Sequence, residues 1–210
     1  LKLWISAPMQ MDSTAVQDAK PQRMSLQARF GKILHISTRN SEGINANVEA
    51  FERRNSSASS TGSPKVRSIR TVTNFHELYE MGPEVMPSTH SYMKVNFATC
   101  KKDGKEVVIK VRNKPHCFRS REDERSWRHN TEFLLNMPDN SGVARLYEVL
   151  EDTKAFYIVM EKVEGMDLFE SLEQEGKLSV ERAKDILRQL LASLVHLHAH
   201  NAVHKDLKLE

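Results

Sequence analysis

The chain has 210 residues, of which 39% are hydrophobic and 28% charged, so it is long enough to bury a substantial core. Lys and Arg exceed Asp and Glu by only 31 to 28, which argues against nucleic acid as a partner. Cys100 and Cys117 lack disulfide-framework or metal-site spacing, and no run approaches the roughly 18 apolar residues of a membrane span. These features predict a soluble cytoplasmic protein with reduced thiols, no metal site built from cysteines, and no membrane partner.

The first third of the chain, residues 1–74, has features typical of a disordered tail. Its apolar residues follow neither a helical nor an alternating period, and residues 55–64 (NSSASSTGSP) are a Ser-rich stretch of low complexity. A solvated linker is the favoured interpretation of this stretch; phosphorylation of Ser56, which follows two arginines and an asparagine, is the alternative. The ordered domain is therefore predicted at residues 75–210.

The ordered part opens with alternating patterns that predict about three antiparallel strands. The first segment contains Leu78, Tyr79, Val85 and Met86, an alternating run then covers residues 92–100, and another covers 106–111, with Asp103-Gly104 between the last two. Asp-Gly between alternating runs is a strong hairpin signal, because Gly accepts the positive φ of a tight turn.

A helix and two further strands follow. Helical spacing runs from Ser120 to Asn136 and is stopped by Pro138 and the turn residues after it. Val143–Val149 and Ala155–Met160 are predicted strands, the second an almost continuous apolar run. Together these elements predict a five-stranded antiparallel sheet with one helix.

After Gly165 the pattern becomes helical. Leu168 and Leu172 predict a short helix, and Ser179 is the predicted N-cap of a long helix whose leucines recur at three- and four-residue spacing. The predicted fold class is therefore α+β. The long helix is expected to leave an apolar face uncovered within these 210 residues.

Three motifs occur at defined places in this order of elements. They are V-V-I-K ending at Lys110, L-Y-E-V-L-E-D beginning at Leu146, and V-H-K-D-L-K ending at Lys208. They resemble motifs of the eukaryotic protein kinase family, and within it the calcium/calmodulin-dependent and calcium-dependent serine/threonine kinase group. The resemblance implies a protein-kinase-like fold, with an N-lobe at about residues 75–163 and the beginning of a C-lobe at about 164–210.

The resemblance also implies catalytic roles. The family's strand lysine holds the α and β phosphates of ATP and pairs with a helix glutamate. Lys110 takes the first role and Glu132 is predicted as its partner; the alternatives are Glu124 as the partner, or a solvent-facing role for Glu132. In the catalytic loop, Asp206 is expected to accept the proton of the substrate hydroxyl, and Lys208 to neutralise charge on the transferred phosphoryl group.

A second implied set surrounds the adenine and ribose. Its members are Val95 and Val108 above the ring, Leu168 below it, Met160 as gatekeeper, the backbones of Glu161 and Val163 at the adenine edge, and Asp167 near the ribose or a substrate arginine. Asp167 fits a solvated acid at a helix start equally well.

The loop that covers the phosphates departs from the family pattern. Counting back from Lys110 places residues 87–95 in this loop, with Ser88, His90 and Met93 at the three glycine positions. Only glycine brings backbone N–H groups against an anion without steric clash. Weaker phosphate contact is therefore expected, and Val108 in place of alanine adds bulk against the adenine.

ATP and Mg²⁺ are the expected cofactors, and a protein serine or threonine is the expected substrate. The 210 residues end before the family's loop asparagine and D-F-G aspartate, which hold Mg²⁺, so the chain by itself is expected to be inactive. Two hypotheses follow: an ATP-dependent serine/threonine protein kinase, or a pseudokinase scaffold with weakened nucleotide binding. Calcium regulation is expected only from the family resemblance.

Overall fold

The computed structural model describes residues 37–38, 66–86, 92–115, 117–205 and 207 of the chain. A sheet interrupted by one helix is followed by a helical part. The elements are β1 (Ser37–Thr38), β2 (Arg70–Thr71), a 3₁₀ turn (Phe75–Glu77), β3 (Tyr79–Met86), β4 (Met93–Cys100), β5 (Glu106–Asn113), α1 (Arg121–Leu135), β6 (Leu146–Glu151), β7 (Ala155–Glu161), α2 (Leu168–Glu175), α3 (Val180–Ala199) and β8 (Ala202–Val203).

The main sheet confirms the predicted five antiparallel strands and adds a sixth. The strand order is β2-β6-β7-β5-β4-β3, and the added β2 lies parallel to β6. The sheet thus includes residues before 75, where the sequence placed the domain border. A strand of two residues is too short to show a period, so only its tertiary pairing reveals it. The predicted disorder of residues 1–74 falls mostly outside the described residues, although β1 pairs with β8.

The β4–β5 hairpin forms as predicted. Gly104 has φ of 71°, and the Cys100 N–H donates to the Lys105 carbonyl oxygen at 2.8 Å. This turn fixes the register in which Val95 lies opposite Lys110. Directly opposed residues of antiparallel strands share a face, so the hairpin places these two side chains on the same side of the sheet.

The sheet has an apolar core on each face. One core joins Val108 and Met160 of the sheet to Trp127 and Leu134 of α1. The other contains Val107, Val159 and other members, and it surrounds the fully buried ring of Phe75. Because side chains alternate along a strand, β5 and β7 contribute to both cores, and β7 is almost continuously buried.

The long helix α3 begins at its predicted N-cap, Ser179, and α1 begins directly after Ser120, where the predicted helical spacing starts. Ser120 Oγ accepts from the Asp123 N–H at 3.1 Å, and Ser179 Oγ accepts from the Arg182 N–H at 3.1 Å. The apolar face of α3 is exposed, as expected, at Val180, Leu187, Leu191 and Val195. Within the described residues, no helix is both long and apolar enough to cross a bilayer.

Candidate functional site

Lys110 lies near the middle of β5 and is almost fully buried, with 8% of the residue exposed. Its neighbours across the sheet are Val95 on β4 and Ile158 on β7. Burial, and to a smaller extent the charge of Arg112, lower the pKa of Lys110 to about 8. An anionic ligand would stabilise the charged form of this ammonium group, because burial has removed much of the water that would otherwise solvate the charge.

Arg112 lies two residues further along β5, on the same face as Lys110, and is 5% exposed. Its Nη2 donates to the Cys117 carbonyl oxygen at 2.6 Å, and its guanidinium carbon lies 4.2 Å and 5.1 Å from the ring centroids of Phe118 and Trp127. Arg112 therefore ties the segment after β5 to α1. Arg112 was not among the predicted site residues, although its two-residue spacing from Lys110 places it on the same face of the strand.

The predicted adenine-contacting side chains lie together. Val95, Val108 and Met160 are all buried and belong to one apolar cluster. Val108 is the cross-strand partner of Met160. Lys110 lies two residues after Val108, so the two side chains are on the same face of the strand. The structure therefore places a basic group at the border of an apolar surface, an arrangement suited to a ligand with a flat apolar ring and an anionic tail.

The residues after β7 have defined backbone contacts. The Glu161 N–H donates to the Arg145 carbonyl oxygen at 2.8 Å, so an adenine contact at this residue would use its carbonyl oxygen. Glu161 Oε2 also accepts from the Arg145 N–H at 3.0 Å. Val163 is half-buried and lies in the connection between β7 and α2. Glu161, the last residue of β7, therefore ties the end of β7 to Arg145, which directly precedes β6.

Asp167 is the N-cap of α2, the alternative that the sequence left open for it. Its Oδ1 accepts from the Glu170 N–H at 2.7 Å. The buried Oδ2 has no hydrogen-bond partner in the described part of the chain. Capping therefore occupies one carboxylate oxygen, and the other is buried. Leu168, the first residue of α2, is half-buried.

Four predicted site residues lie outside the described residues: Ser88, His90, Asp206 and Lys208. Met93 opens β4, opposite Arg112. Within the predicted catalytic loop, His204 is 2% exposed and Lys205 has φ of 55°. A non-glycine residue with positive φ is uncommon and occurs often at functional sites. Among the described residues, no group of three or more His, Cys, Asp or Glu side chains is arranged to hold a metal ion.

The predicted ion pair between Lys110 and Glu132 does not form. Glu132 Oε1 accepts from the backbone N–H of Ile69 at 3.1 Å, and the alternative, Glu124, accepts from Arg128 Nε at 2.9 Å. The reason is the rotation of α1 about its axis. Its buried residues include Asn130 and Thr131, and Glu132 follows about 100° further round the helix.

A cavity of about 330 Å³ lies beside this region. Met160 and Glu161 line it together with Arg67, Leu134 and the residues between α1 and β6. Lys110, Val95 and Val108 do not line it. The cavity therefore reaches Met160 and does not reach the side chains of Val95, Val108 and Lys110.

Comparison with known proteins agrees with this geometry. A family model of the protein kinase domain matches residues 91–210, more than half of the chain. A Probable myosin light chain kinase of Dictyostelium discoideum is 33% identical over 130 residues, 62% of this chain and 39% of that protein. Calcium-dependent protein kinase 4 of Plasmodium berghei is 33% identical over 120 residues, 57% of this chain and 22% of that protein.

CBL-interacting serine/threonine-protein kinase 24 of Arabidopsis thaliana is 30% identical over 63% of this chain and 29% of that protein. Among solved structures, Rad53 1-466 in complex with AMP-PNP superimposes with a TM-score of 0.53 and 25% identity, covering 63% of this chain and 33% of that one. The chain spans less than two-fifths of the length of these relatives. Fold, motifs and family match together show that the chain belongs to the protein kinase domain family.

Proposed function

We propose that this chain is the nucleotide-binding part of an ATP-dependent serine/threonine protein kinase. The observation that carries the proposal is the position of Lys110, a buried cation on the sheet face formed by Val95, Val108 and Met160. The adenine would lie against the three apolar side chains, and the ammonium group of Lys110 would hold the phosphates. The nucleotide in the Rad53 structure is consistent with this assignment.

In the reaction, the oxygen of a protein serine or threonine hydroxyl would attack the γ-phosphorus of ATP, and the bond from that phosphorus to the bridging oxygen of ADP would break. Asp206 would accept the hydroxyl proton, and Lys208 would balance charge on the transferred group. Mg²⁺, when bound, supplies positive charge to the phosphates. Among the described residues, no cluster of carboxylates is arranged to hold Mg²⁺.

The protein substrate class rests on relatives named as serine/threonine, calcium-dependent and myosin light chain kinases. Calcium regulation is a further part of the proposal, and it rests on the calcium-dependent relatives alone. A direct test of the activity is phosphate transfer from labelled ATP to a serine- and threonine-containing protein by the longest natural form of the protein. Transfer is expected to be lost in Lys110→Met and Asp206→Asn, and full activity in both variants would contradict the residue assignments.

A pseudokinase scaffold is the second candidate function. One structural observation favours it: Glu132, the predicted carboxylate partner of Lys110, binds the backbone N–H of Ile69 instead. ATP binding without phosphate transfer by the same natural form would support the scaffold. Transfer that depends on Lys110 would exclude it.

A further inference from the structure

The helix α1 has two contact faces that bind different parts of the molecule. Trp127, Thr131 and Leu134, at helical spacing, form the buried face toward the sheet. Arg128, Glu132 and Asn136, four residues apart, form a second face. The two faces are rigidly linked because they belong to one helix.

The second face holds residues 66–73, which we call the strap. The side-chain amide of Asn136 makes two hydrogen bonds to the backbone of Arg67. Its Oδ1 accepts from the Arg67 N–H and its Nδ2 donates to the Arg67 carbonyl oxygen, each at 2.7 Å. One helical turn earlier, Glu132 Oε1 accepts from the Ile69 N–H at 3.1 Å. Two side chains thus bind alternate residues of an extended segment.

The strap is also fixed to the sheet. Arg70 and Thr71 pair with β6, and the Val72 N–H donates to the Glu151 carbonyl oxygen at 2.8 Å. Arg67 Nη1 lies 3.3 Å from the Leu146 carbonyl oxygen. The strap therefore connects α1 to β6. Because β6 holds the strap in place, the hydrogen bonds from the strap to α1 fix the orientation of α1 about its own axis.

We propose that Glu132 is a positioning residue that sets the rotation of α1 through the strap, and that it is not the carboxylate partner of Lys110. With Glu132 bound to Ile69, Thr131 and Leu134 face the sheet, and Trp127 stays against Arg112. The strap thereby controls how α1 packs against the strand that carries Lys110. This inference rests on the proposed kinase function for its catalytic consequence.

The role requires a hydrogen-bond acceptor at position 132, and it does not require a negative charge. Glu132→Gln keeps a carbonyl oxygen for the Ile69 N–H, whereas Glu132→Leu removes the acceptor. Ile69→Pro removes the donor from the other side, and Ile69→Val is its matched control because it keeps the N–H. The four variants separate the charge of Glu132 from its hydrogen bond.

The measurements are kcat and KM for ATP in the longest natural form of the protein, and hydrogen exchange of the strap. Glu132→Leu and Ile69→Pro are each expected to lower kcat by up to about tenfold, the effect of one lost part-buried hydrogen bond, and to increase exchange in residues 66–73. Glu132→Gln and Ile69→Val are expected to retain kcat within about twofold. If substitution at position 132 simply destabilised the fold, Glu132→Gln would lower kcat as Glu132→Leu does. A kcat retained in Glu132→Gln therefore identifies the hydrogen bond as the cause.

The double variant Glu132→Leu/Ile69→Pro is expected to be no worse than either single variant, because both remove the same bond. A fall of kcat in Glu132→Gln to the level of Lys110→Met, with unchanged exchange of the strap, would overturn the inference. Unchanged kcat and exchange in Glu132→Leu would overturn it as well. If the wild-type protein transfers no phosphate, the proposed function fails, and the exchange results alone decide whether Glu132 holds the strap.

Discussion

Lys110 and Arg112 lie on one face of β5, two residues apart, and both are almost fully buried. Two neighbouring cations in a site of low polarity repel each other and lose hydration. This relationship makes the face strongly attractive to an anion. It also gives the folded protein a dependence on pH that can be measured without any ligand.

The pKa of Lys110 is about 8 in the folded protein against an ordinary value of 10.5. Between these pH values the unfolded chain binds more protons at this residue than the folded chain, so the stability that this residue contributes rises with pH and is lost as pH falls toward 8. Lys110→Met is therefore expected to stabilise the fold at pH 7 by about 3 kcal/mol, with the difference shrinking toward pH 10.5. Urea unfolding of both proteins at several pH values checks this; a difference independent of pH would contradict it.

Thr131 carries a buried hydroxyl without a hydrogen-bond partner in the described part of the chain. Replacing it with the isosteric Thr131→Val removes an unsatisfied polar group, so the free energy of unfolding should stay constant or rise by up to about 1 kcal/mol. Thr131→Ala is the control, because it also removes a buried methyl group and should cost about 1 kcal/mol. A clear loss of stability in the valine variant would mean that the hydroxyl has a partner in the folded protein.

Glu151 ties β6 to α1 and to the segment after β5. Its two carboxylate oxygens accept from Arg128 at 2.7 Å and 2.6 Å, and Lys114 Nζ lies 2.8 Å from Oε1. The hydrogen bonds from Arg128 lower the pKa of Glu151 below its ordinary value of 4.5, so the stability from this group is present above that pH and is lost as pH falls through the lowered pKa.

Glu151→Gln should cost about 1 to 3 kcal/mol at pH 7, and the difference should shrink in acid, as measured by urea unfolding. Glu80→Gln, at an exposed position of β3, is the matched control and should change little. Equal effects of the two substitutions would show that the Glu151 network does not stabilise the fold.

Phe75 belongs to the apolar core that contains Val107 and Val159, and its ring is fully buried there. Its ring stacks on Tyr157 at a centroid distance of 3.9 Å and on Tyr79 at 5.4 Å. Phe75→Ala should cost about 3 to 5 kcal/mol by opening a cavity among these rings, whereas His76→Ala, at an exposed position, should cost little. Thermal and urea unfolding measure both, and a loss below about 1 kcal/mol in Phe75→Ala would show that the core has collapsed around the smaller side chain.

The sheet could be predicted because its signals are local. Alternation of apolar side chains defined β4 and β5, Asp103-Gly104 defined their turn, and Ser120 defined the start of α1. The same local signals brought Lys110, Val108 and Met160 to one face, because strand register fixes which side chains lie opposite each other.

The rotation of α1 could not be predicted in the same way. Glu132 is next to Thr131 in sequence, so a rotation of one residue decides which of them faces the sheet. That choice depends on the hydrogen bond to Ile69, 63 residues earlier in the chain, which no periodic pattern encodes. Burial of Arg112 was missed for a related reason, since a charged residue is usually exposed unless tertiary partners enclose it.

The central claim is that Lys110 holds the phosphates of a nucleotide, and its most direct test is a calorimetric titration of ATP into the longest natural form of the protein. Lys101→Met, an exposed substitution in the β4–β5 turn, serves as the control. The account predicts saturable binding by the wild-type and control proteins and at least about tenfold weaker binding by Lys110→Met, as expected from the loss of one charged contact. Equal affinity of all three proteins for ATP, or no binding by any of them, would contradict it.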